Sequence, residues 1–408
     1  MIGLDEAKEF VVGELRALDV EVLATADALG CALGDAVVAR ERVPAFENSS
    51  MDGFAVRSQE TAAGAVRLLI VDSIFAGRVS RRTVAPGEAM RIMTGAAMPA
   101  GADAVCPVED VLVEGDEVLI RRRVDPGDCV RRAGGDVEVG QLLMPAGSEV
   151  TPAALGVLAG QGMTTVRVHR RPVVAVLSTG DELSTNDQLA PGQIRDTNRP
   201  MLVALLRSSG FEPVDLGIVA DGYEAIKEAI SDAAQRYDAV VSTGGVSMGD
   251  VDHVKGVIGE LSGGRARTMQ VAIKPAKPFA FGRVGDKGTP VFGLPGNPVS
   301  TRVSFELFVR PALRLLGGHR RIERLTMDAV LDIDLPAPGD QKVHLVHVAA
   351  SLGDDGRPHV VESAAHYSHL LSAIVASNAI AVLSPGHSYA RGERVTIMVL
   401  EADSLASR

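Results

Sequence analysis

Apolar positions change their period three times along the 408-residue chain. Leu4, Ala7, Phe10, Val11, Leu15 and Leu18 recur at helical spacing and predict an N-terminal helix with one buried face. After a polar, linker-like stretch over Val43–Ser50 the pattern turns to short alternating runs: Val66–Ile74, Val105–Val113 and Val118–Val124. Pro86-Gly87, Pro99-Ala100-Gly101 and Pro126-Gly127 separate them, so the segment from Gly53 to about Gly147 is expected to be β-rich. Thr151-Pro152 then opens a short helix ending near Gly160, with threonine as N-cap and proline in the first turn.

A third pattern begins at Pro172. Val173–Leu177 is an apolar run of buried-strand type, followed by a helix over about Arg199–Ser209 and a strand at Val214–Val219. A helix at Tyr223–Arg236, a strand at Ala239–Ser242 and a helix from near Val251 come next. A strand at Pro290–Leu294 leads into a long helix ending near Leu316. Strands alternating with helices predict an α/β fold with a doubly wound parallel sheet. From Thr326 the pattern returns to strands, near Ala329–Ile333, Val343–Ala349, Ile380–Leu383 and Arg394–Leu400, which predict a small β-barrel or sandwich.

A chain of this length divides into two to four domains. With 41 Lys+Arg against 52 Asp+Glu its net charge is −11, which argues against nucleic acid or an anionic membrane as partner. The three cysteines, Cys31, Cys106 and Cys129, form no CxxC pair and indicate neither a disulfide framework nor a zinc site. Asp5, Glu6 and Lys8 leave no secretory apolar region, and Ser372, Ser377 and Asn378 interrupt the longest apolar stretch. A cytoplasmic protein is the expectation.

In an open α/β sheet, ligands gather outside the carboxyl ends of the strands. Three loops leave such ends: Ser178–Leu183, Thr243–Asp250 and Pro295–Pro298. In Thr243-Gly244-Gly245-Val246-Ser247-Met248-Gly249-Asp250, glycines let the backbone approach an anion and the following helix start supplies N–H groups. Asp250 and Asp252 make sense beside a phosphate as Mg²⁺ ligands. A tight turn capped by Asp250 accounts for the loop equally well. Asp181-Glu182 pose the same choice, between surface acids and a metal-phosphate site. Lys274-Pro275-Ala276-Lys277-Pro278 holds two lysines on a proline-stiffened backbone, where an anion would offset their repulsion; a solvated basic turn is the alternative. On local chemistry alone, the Ser49–Ala55 loop with Asp52 reads as a capped turn.

Other motifs weigh less. Gly245–Gly249 fits GxSxG, but Ser247 falls in mid-loop and not on a strand–helix turn, which disfavours a serine hydrolase. His366 and His369 lack a third ligand and read as exposed or structural. No Walker A, GxGxxG or HExxH sequence is present.

Taken in order, Pro44–Ala55, Arg91-Ile92-Met93-Thr94-Gly95-Ala96, Gly101–Val105, Ser178–Leu183, Asp196-Thr197-Asn198, the glycine loop, the double Lys-Pro segment and Leu294–Ser300 form a specific set. The set spans nearly the whole chain and resembles the molybdopterin molybdenumtransferases, the MoeA family, whose eukaryotic relatives include the gephyrin E domain. The resemblance implies an elongated N-terminal linker domain (1–44 with 141–170) and a β-rich inserted domain (45–140). A MoaB/Mog-like molybdopterin-binding domain (171–322) and a C-terminal β-barrel domain (323–408) would follow. It implies a homodimer with a shared active cleft, into which Asp52 reaches from the partner, and contact with the molybdopterin adenylyltransferase. The implied reaction takes adenylylated molybdopterin and molybdate with Mg²⁺ and releases AMP.

By the same resemblance, Asp52, Thr94, Asp136, Glu182, Asp221 and Asp252 occupy functionally sensitive positions. Glu182, Asp250 and Asp252 are assigned to Mg²⁺, and Lys274 and Lys277 to molybdate or phosphate. Ser178, Thr179, Gly180, Gly244, Gly245, Ser247, Gly249, Pro295, Gly296, Asn297 and Pro298 are assigned to the pterin substrate. Phe54 stands where Tyr is usual, Gly135 where an acid is frequent, Met248 where a smaller apolar residue is common, and Ala276 where Gly is usual. Rival readings are an adenylyltransferase, which needs only the α/β domain, and a scaffold that binds a partner peptide; the acids and lysines favour catalysis over the scaffold.

Overall fold

The computed structural model describes residues 1–246, 253–335, 337–363 and 371–405. Two compact units make up the chain: Met1–Asp35 with Gly147–Leu155 and Thr164–Arg408, and Ala36–Ala146 with Gly156–Met163.

In the first unit a six-stranded sheet runs in the order Glu212–Val219, Val173–Thr179, Ala239–Thr243, Thr289–Leu294, Pro278–Val284, Arg267–Gln270. The first four strands are parallel, as the βα alternation predicts, and the last two are antiparallel. That antiparallel edge departs from the expected all-parallel sheet. Its strands are joined by a short excursion without a helix, so no βα rhythm marks them.

Both faces of the sheet are covered, which explains the unbroken apolar runs. Val174, Val176, Val241 and Phe292 point to one face, where Leu202, Leu206, Val303 and Leu313 meet them. Ala175, Leu177, Val240 and Val291 point to the other, against Ile226, Ile230, Val254 and Ile258. Burying each Val or Leu contributes about 1.5–3 kcal/mol, so a one-residue slip that exchanged the two sets would be costly. The N-terminal helix, Leu4–Gly13, adds Ala7 and Val11 to the first face. The long helix after Pro298 widens into a π turn at Phe305–Val309. Pro311 follows, and having no N–H to give the preceding turn it disfavours regular α geometry there.

Five strands close a barrel in the C-terminal part: Val343–Leu352, Pro358–Ser363, Thr326–Leu331, Arg394–Val399 and Ala379–Leu383, which pairs back to the first. Four were expected. Pro358–Ser363 was not, because proline heads it and its apolar run is short. Leu331, Val348, Val360, Ala381 and Ile397 fill the interior. Among the described residues no helix is long and apolar enough to cross a membrane.

The second unit is built on another six-stranded sheet, in the order Ala104–Pro107, Gly53–Val56, Glu88–Ile92, Val66–Ile74, Glu117–Ile120, Val111–Glu114. The expected single run Val105–Val113 splits at Pro107, where a 3-10 turn over Val108–Asp110 redirects the chain. Gly53 packs so closely that a Cβ there would lie 2.1 Å from the Cys106 carbonyl oxygen. Only glycine fits, and the tight strand pairing anchors the loop that carries Asp52.

Candidate functional site

Because Val173–Thr179, Ala239–Thr243 and Thr289–Leu294 are parallel neighbours, their carboxyl ends fall on one edge, with Ser178 beside Thr243 and Thr243 beside Leu294. The loops leaving them are therefore gathered by the sheet itself. Gly244, at φ 97°, would set a Cβ 2.5 Å from the Thr179 carbonyl oxygen, and Gly245, at φ 65°, would set one 2.7 Å from Val254. The paired glycines are thus required by the turn and by close packing. Asn198 ties two of the loops together: its Nδ2 donates to Thr243 Oγ1 at 3.0 Å and to the Gly296 carbonyl at 2.6 Å. Thr301 Oγ1 donates to the Pro295 carbonyl at 2.7 Å and fixes the second of these two.

These loops surround a cavity of about 1150 Å³. Thr179, Gly180, Glu182, Asp221, Thr243, Gly244 and Gly245 line it, with Lys274, Lys277, Pro295, Gly296 and Asn297. One part of the lining is acidic: Glu182 and Asp221 are exposed carboxylates. The Asp221 N–H donates to Asp181 Oδ1 at 3.0 Å, which joins the two acidic loops. Another part is basic, and among the described residues neither Lys274 nor Lys277 makes an ion pair or side-chain hydrogen bond. Among the described residues, Thr179 Oγ1 and Asn198 Oδ1 are buried without a hydrogen-bond partner. A buried polar atom left unpaired costs about 1–3 kcal/mol.

The other expected positions fall elsewhere. Ser178 is fully buried within its strand, and its Oγ donates to Asp196 Oδ1 at 3.1 Å. Pro298 begins a helix. Ser247, Gly249, Asp250 and Asp252 lie outside the described residues, as do His366 and His369. Asp52, Thr94 and Asp136 belong to the second unit. There Thr94 donates to Asp52 Oδ1 from its backbone N–H at 2.7 Å and from its hydroxyl at 2.8 Å. These bonds, the backbone one foremost, hold the Asp52 carboxyl below its ordinary range. Asp136 is exposed, with its N–H donating to the Val43 carbonyl at 3.0 Å. Phe54 is buried among Val56 and Cys106, an apolar setting with no need of a hydroxyl.

The lining residues that sequence reasoning gave no role include Asn198, Lys342 and His344. Asn198 lay in a recognised motif without a role. Lys342 and His344 carried a signal in the polar–apolar alternation of Lys342-Val343-His344-Leu345, which places both on one side of a strand.

Mg²⁺ takes oxygen ligands and is commonly held by one or two carboxylates together with substrate phosphates. Glu182 and Asp221 suit that donor set. Among the described residues no group of three His, Cys, Asp or Glu side chains gathers as a self-sufficient metal cage.

Three family models match consecutive parts of the chain. They are the MoeA N-terminal region (domain I and II) over residues 2–162, a probable molybdopterin binding domain over 175–315, and the MoeA C-terminal region (domain IV) over 328–400. The molybdopterin molybdenumtransferase of Haemophilus influenzae is 34% identical over 403 residues, covering 97% of this chain and 98% of the relative. The chain belongs to the molybdopterin molybdenumtransferase (MoeA) family. A Nostoc molybdopterin molybdenumtransferase is 35% identical over 393 residues, covering 94% of this chain and 89% of that protein. The crystal structure of the molybdopterin biosynthesis moeA protein from Pyrococcus horikoshii OT3 superposes with a TM-score of 0.83 at 27% identity, covering 98% of this chain and 100% of that one. In this MoeA-family chain most of the cavity lining falls within the molybdopterin-binding match. Ala337, Gly339, Lys342 and His344 come from the C-terminal match.

Proposed function

We propose that the chain is a molybdopterin molybdotransferase that takes adenylylated molybdopterin and molybdate as substrates. The observation that carries this reading is one cavity with carboxylates on one part of its lining and lysines on another. Its relatives bear the same activity in their names along the length of the chain. In the net reaction, Mo–S bonds form to the dithiolene sulfurs and molybdate oxygens leave as water. Water cleaves the phosphoanhydride bond to release AMP, and molybdenum keeps its oxidation state.

Lys274 and Lys277 supply fixed cationic donors to an oxyanion, an arrangement that stabilises charge where water is excluded. Glu182 and Asp221, with Asp250 and Asp252, would hold Mg²⁺, which when bound neutralises and polarises the phosphate. Gly244 and Gly245 let the backbone approach the ligand. No side-chain nucleophile is required. The proposal includes a cytoplasmic homodimer in which Asp52, poised by Thr94, completes the partner's cleft, with Asp136 also serving the site. It includes the four-part division at the boundaries expected from the sequence, and delivery of substrate by an adenylyltransferase.

The test is incubation of the purified protein with adenylylated molybdopterin, Mg²⁺ and molybdate, with AMP and active cofactor measured. Molybdate-dependent AMP release is expected, and its absence refutes the reading. Lys277→Ala and Glu182→Ala should each abolish turnover; unchanged rates would refute the site assignment.

A further inference from the structure

The chain that leads from the long helix into the barrel is gripped by charged side chains of that helix. The helix ends at Leu316 and the first barrel strand starts at Thr326. Between them, Arg310 Nη1 donates to the Ile322 carbonyl at 3.2 Å and Arg314 Nε to the Arg321 carbonyl at 2.7 Å. Glu306, buried in the π turn, receives a fork from Arg324: Nε donates to Oε2 at 2.9 Å and Nη2 to Oε1 at 3.2 Å. Arg324 Nη1 also donates to the Leu400 carbonyl at 3.1 Å, just past the barrel strand Arg394–Val399. One guanidinium thus joins helix, connecting segment and barrel. Arg302 Nε lies 3.5 Å from Glu306 Oε1 and adds a second cation to the same carboxylate.

A buried ion pair is a poor source of stability, because stripping water from two charges can cost as much as their attraction provides. Its contribution is directional. Leu345, Ile380, Met398 and Leu400 of the barrel share an apolar core with Val303, Leu307 and Leu313 of the helix. Apolar contact is strong but not directional, whereas a two-bond fork between guanidinium and carboxylate fixes the orientation of both planes. The seat of the barrel bears on the cavity. Ile273–Lys274 pairs in parallel with the head of Val343–Leu352, and the Val343 N–H donates to the Ala272 carbonyl at 3.0 Å. Ala337, Gly339, Lys342 and His344 line the cavity from the barrel side.

We propose that Glu306 and Arg324, remote from the cavity lining, are positioning residues: their buried fork holds the barrel on the long helix in the one orientation that closes the cavity. They act on the reaction through the barrel and touch no substrate. Their service to the transfer rests on the transferase reading; the clamp itself rests on the fork and the bond to Leu400.

The test replaces the fork by apolar side chains of similar size, Glu306→Leu with Arg324→Met, in the full chain. Urea unfolding, hydrogen exchange by mass spectrometry and molybdate-dependent AMP release are compared with wild type. The urea midpoint should be unchanged or raised, since no charge is left buried without its partner. Exchange in the ladder segments Ile273–Lys274 and Val343–His344 should quicken by about tenfold, while the barrel strand Pro358–Ser363 keeps its protection. The ratio kcat/KM should fall about 10–100-fold, the effect of a displacement on the order of 1 Å in parts that must meet a substrate. Arg324→Lys, which keeps the charge and loses the fork, should show both changes at smaller size, and it carries the test alone if the apolar pair does not fold. Unchanged exchange in the ladder overturns the clamp. Protection lost equally in ladder and barrel overturns it as well, because the pair would then hold up the fold and not its orientation. Faster ladder exchange with wild-type kcat/KM overturns the positioning role. If wild type releases no AMP, the transferase reading fails and ladder exchange alone judges the clamp.

Discussion

His347, on the barrel strand Val343–Leu352, is 3% exposed, and among the described residues neither of its ring nitrogens has a hydrogen-bond partner. Burial, with nearby Arg302 adding repulsion, pushes its pKa down from 6.5 to about 4. Protonation therefore favours the unfolded chain. Stability is full above about pH 6.5, falls as pH drops through that value, and stops falling on account of this residue below about pH 4. Between about pH 7.5 and about pH 5, pKa values of 6.5 and about 4 correspond to a loss of about 2 kcal/mol. His319 adds a loss of the same sign: its pKa is lowered to about 4 by burial first and by Arg314 next. Arg314 Nη2 lies 3.2 Å from His319 Nδ1, a contact that suits the neutral ring. His347→Phe removes the first loss and retains the second. Urea unfolding of wild type and variant at the two pH values should show the variant's pH-dependent loss smaller by about 2 kcal/mol. The comparison is of slopes, so any change in packing that shifts the variant equally at both pH values cancels. Equal losses in the two proteins would refute the assignment of a buried neutral imidazole at His347.

Three further outcomes follow from local geometry. Asn198→Ala removes the bonds to Thr243 Oγ1 and the Gly296 carbonyl; it should destabilise the first unit by about 2 kcal/mol in urea and raise KM, and wild-type stability with unchanged KM would contradict it. Ala276 is buried at φ 70°, in the left-handed region; Ala276→Gly should relieve about 1–2 kcal/mol of strain, partly offset by glycine's entropy, so a lower urea midpoint would count against strain there. Thr94→Val deletes the hydroxyl bond to Asp52 and keeps the backbone one. The Asp52 carboxyl followed by NMR should then titrate at higher pH, and an unmoved midpoint would show that the hydroxyl does not hold it down.

What could be read from the sequence was what local pattern encodes. The apolar run Val173–Leu177 announced a strand buried on both faces, and Gly244-Gly245 announced a backbone turn too tight for side chains. The lysines of the double Lys-Pro segment stood out because rigid like charges need an explanation. Lys342 and His344 became legible only with the ladder that sets His344 beside Lys274, a long-range pairing that no window along the chain reveals. Asn198 belonged to a motif, but its bridging of two loops depends on strands from distant segments meeting at one sheet edge. The antiparallel edge was hidden for a related reason: Pro278–Val284 is apolar and buried like its parallel neighbours, and apolarity carries no strand direction.

The two charged parts of the cavity are built on backbones of different kinds, and this bears on the order in which a ligand would be held. Lys274 sits in a ladder with the barrel, and Lys277 follows a buried Ala276 and precedes a sheet strand. Glu182 and Asp221 lie exposed on loops, joined by backbone bonds to and from Asp181 and Asp221. A preorganised basic region loses little entropy on taking an oxyanion, whereas loop carboxylates gain most from a ligand that arrives with its own counter-charge. In the proposed reaction the oxyanion would therefore be seated by groups already in place, and Glu182 and Asp221 would be ordered by the metal–phosphate pair that enters with the organic substrate. Anion affinity should accordingly survive loss of Glu182, while affinity for adenylylated substrate should not.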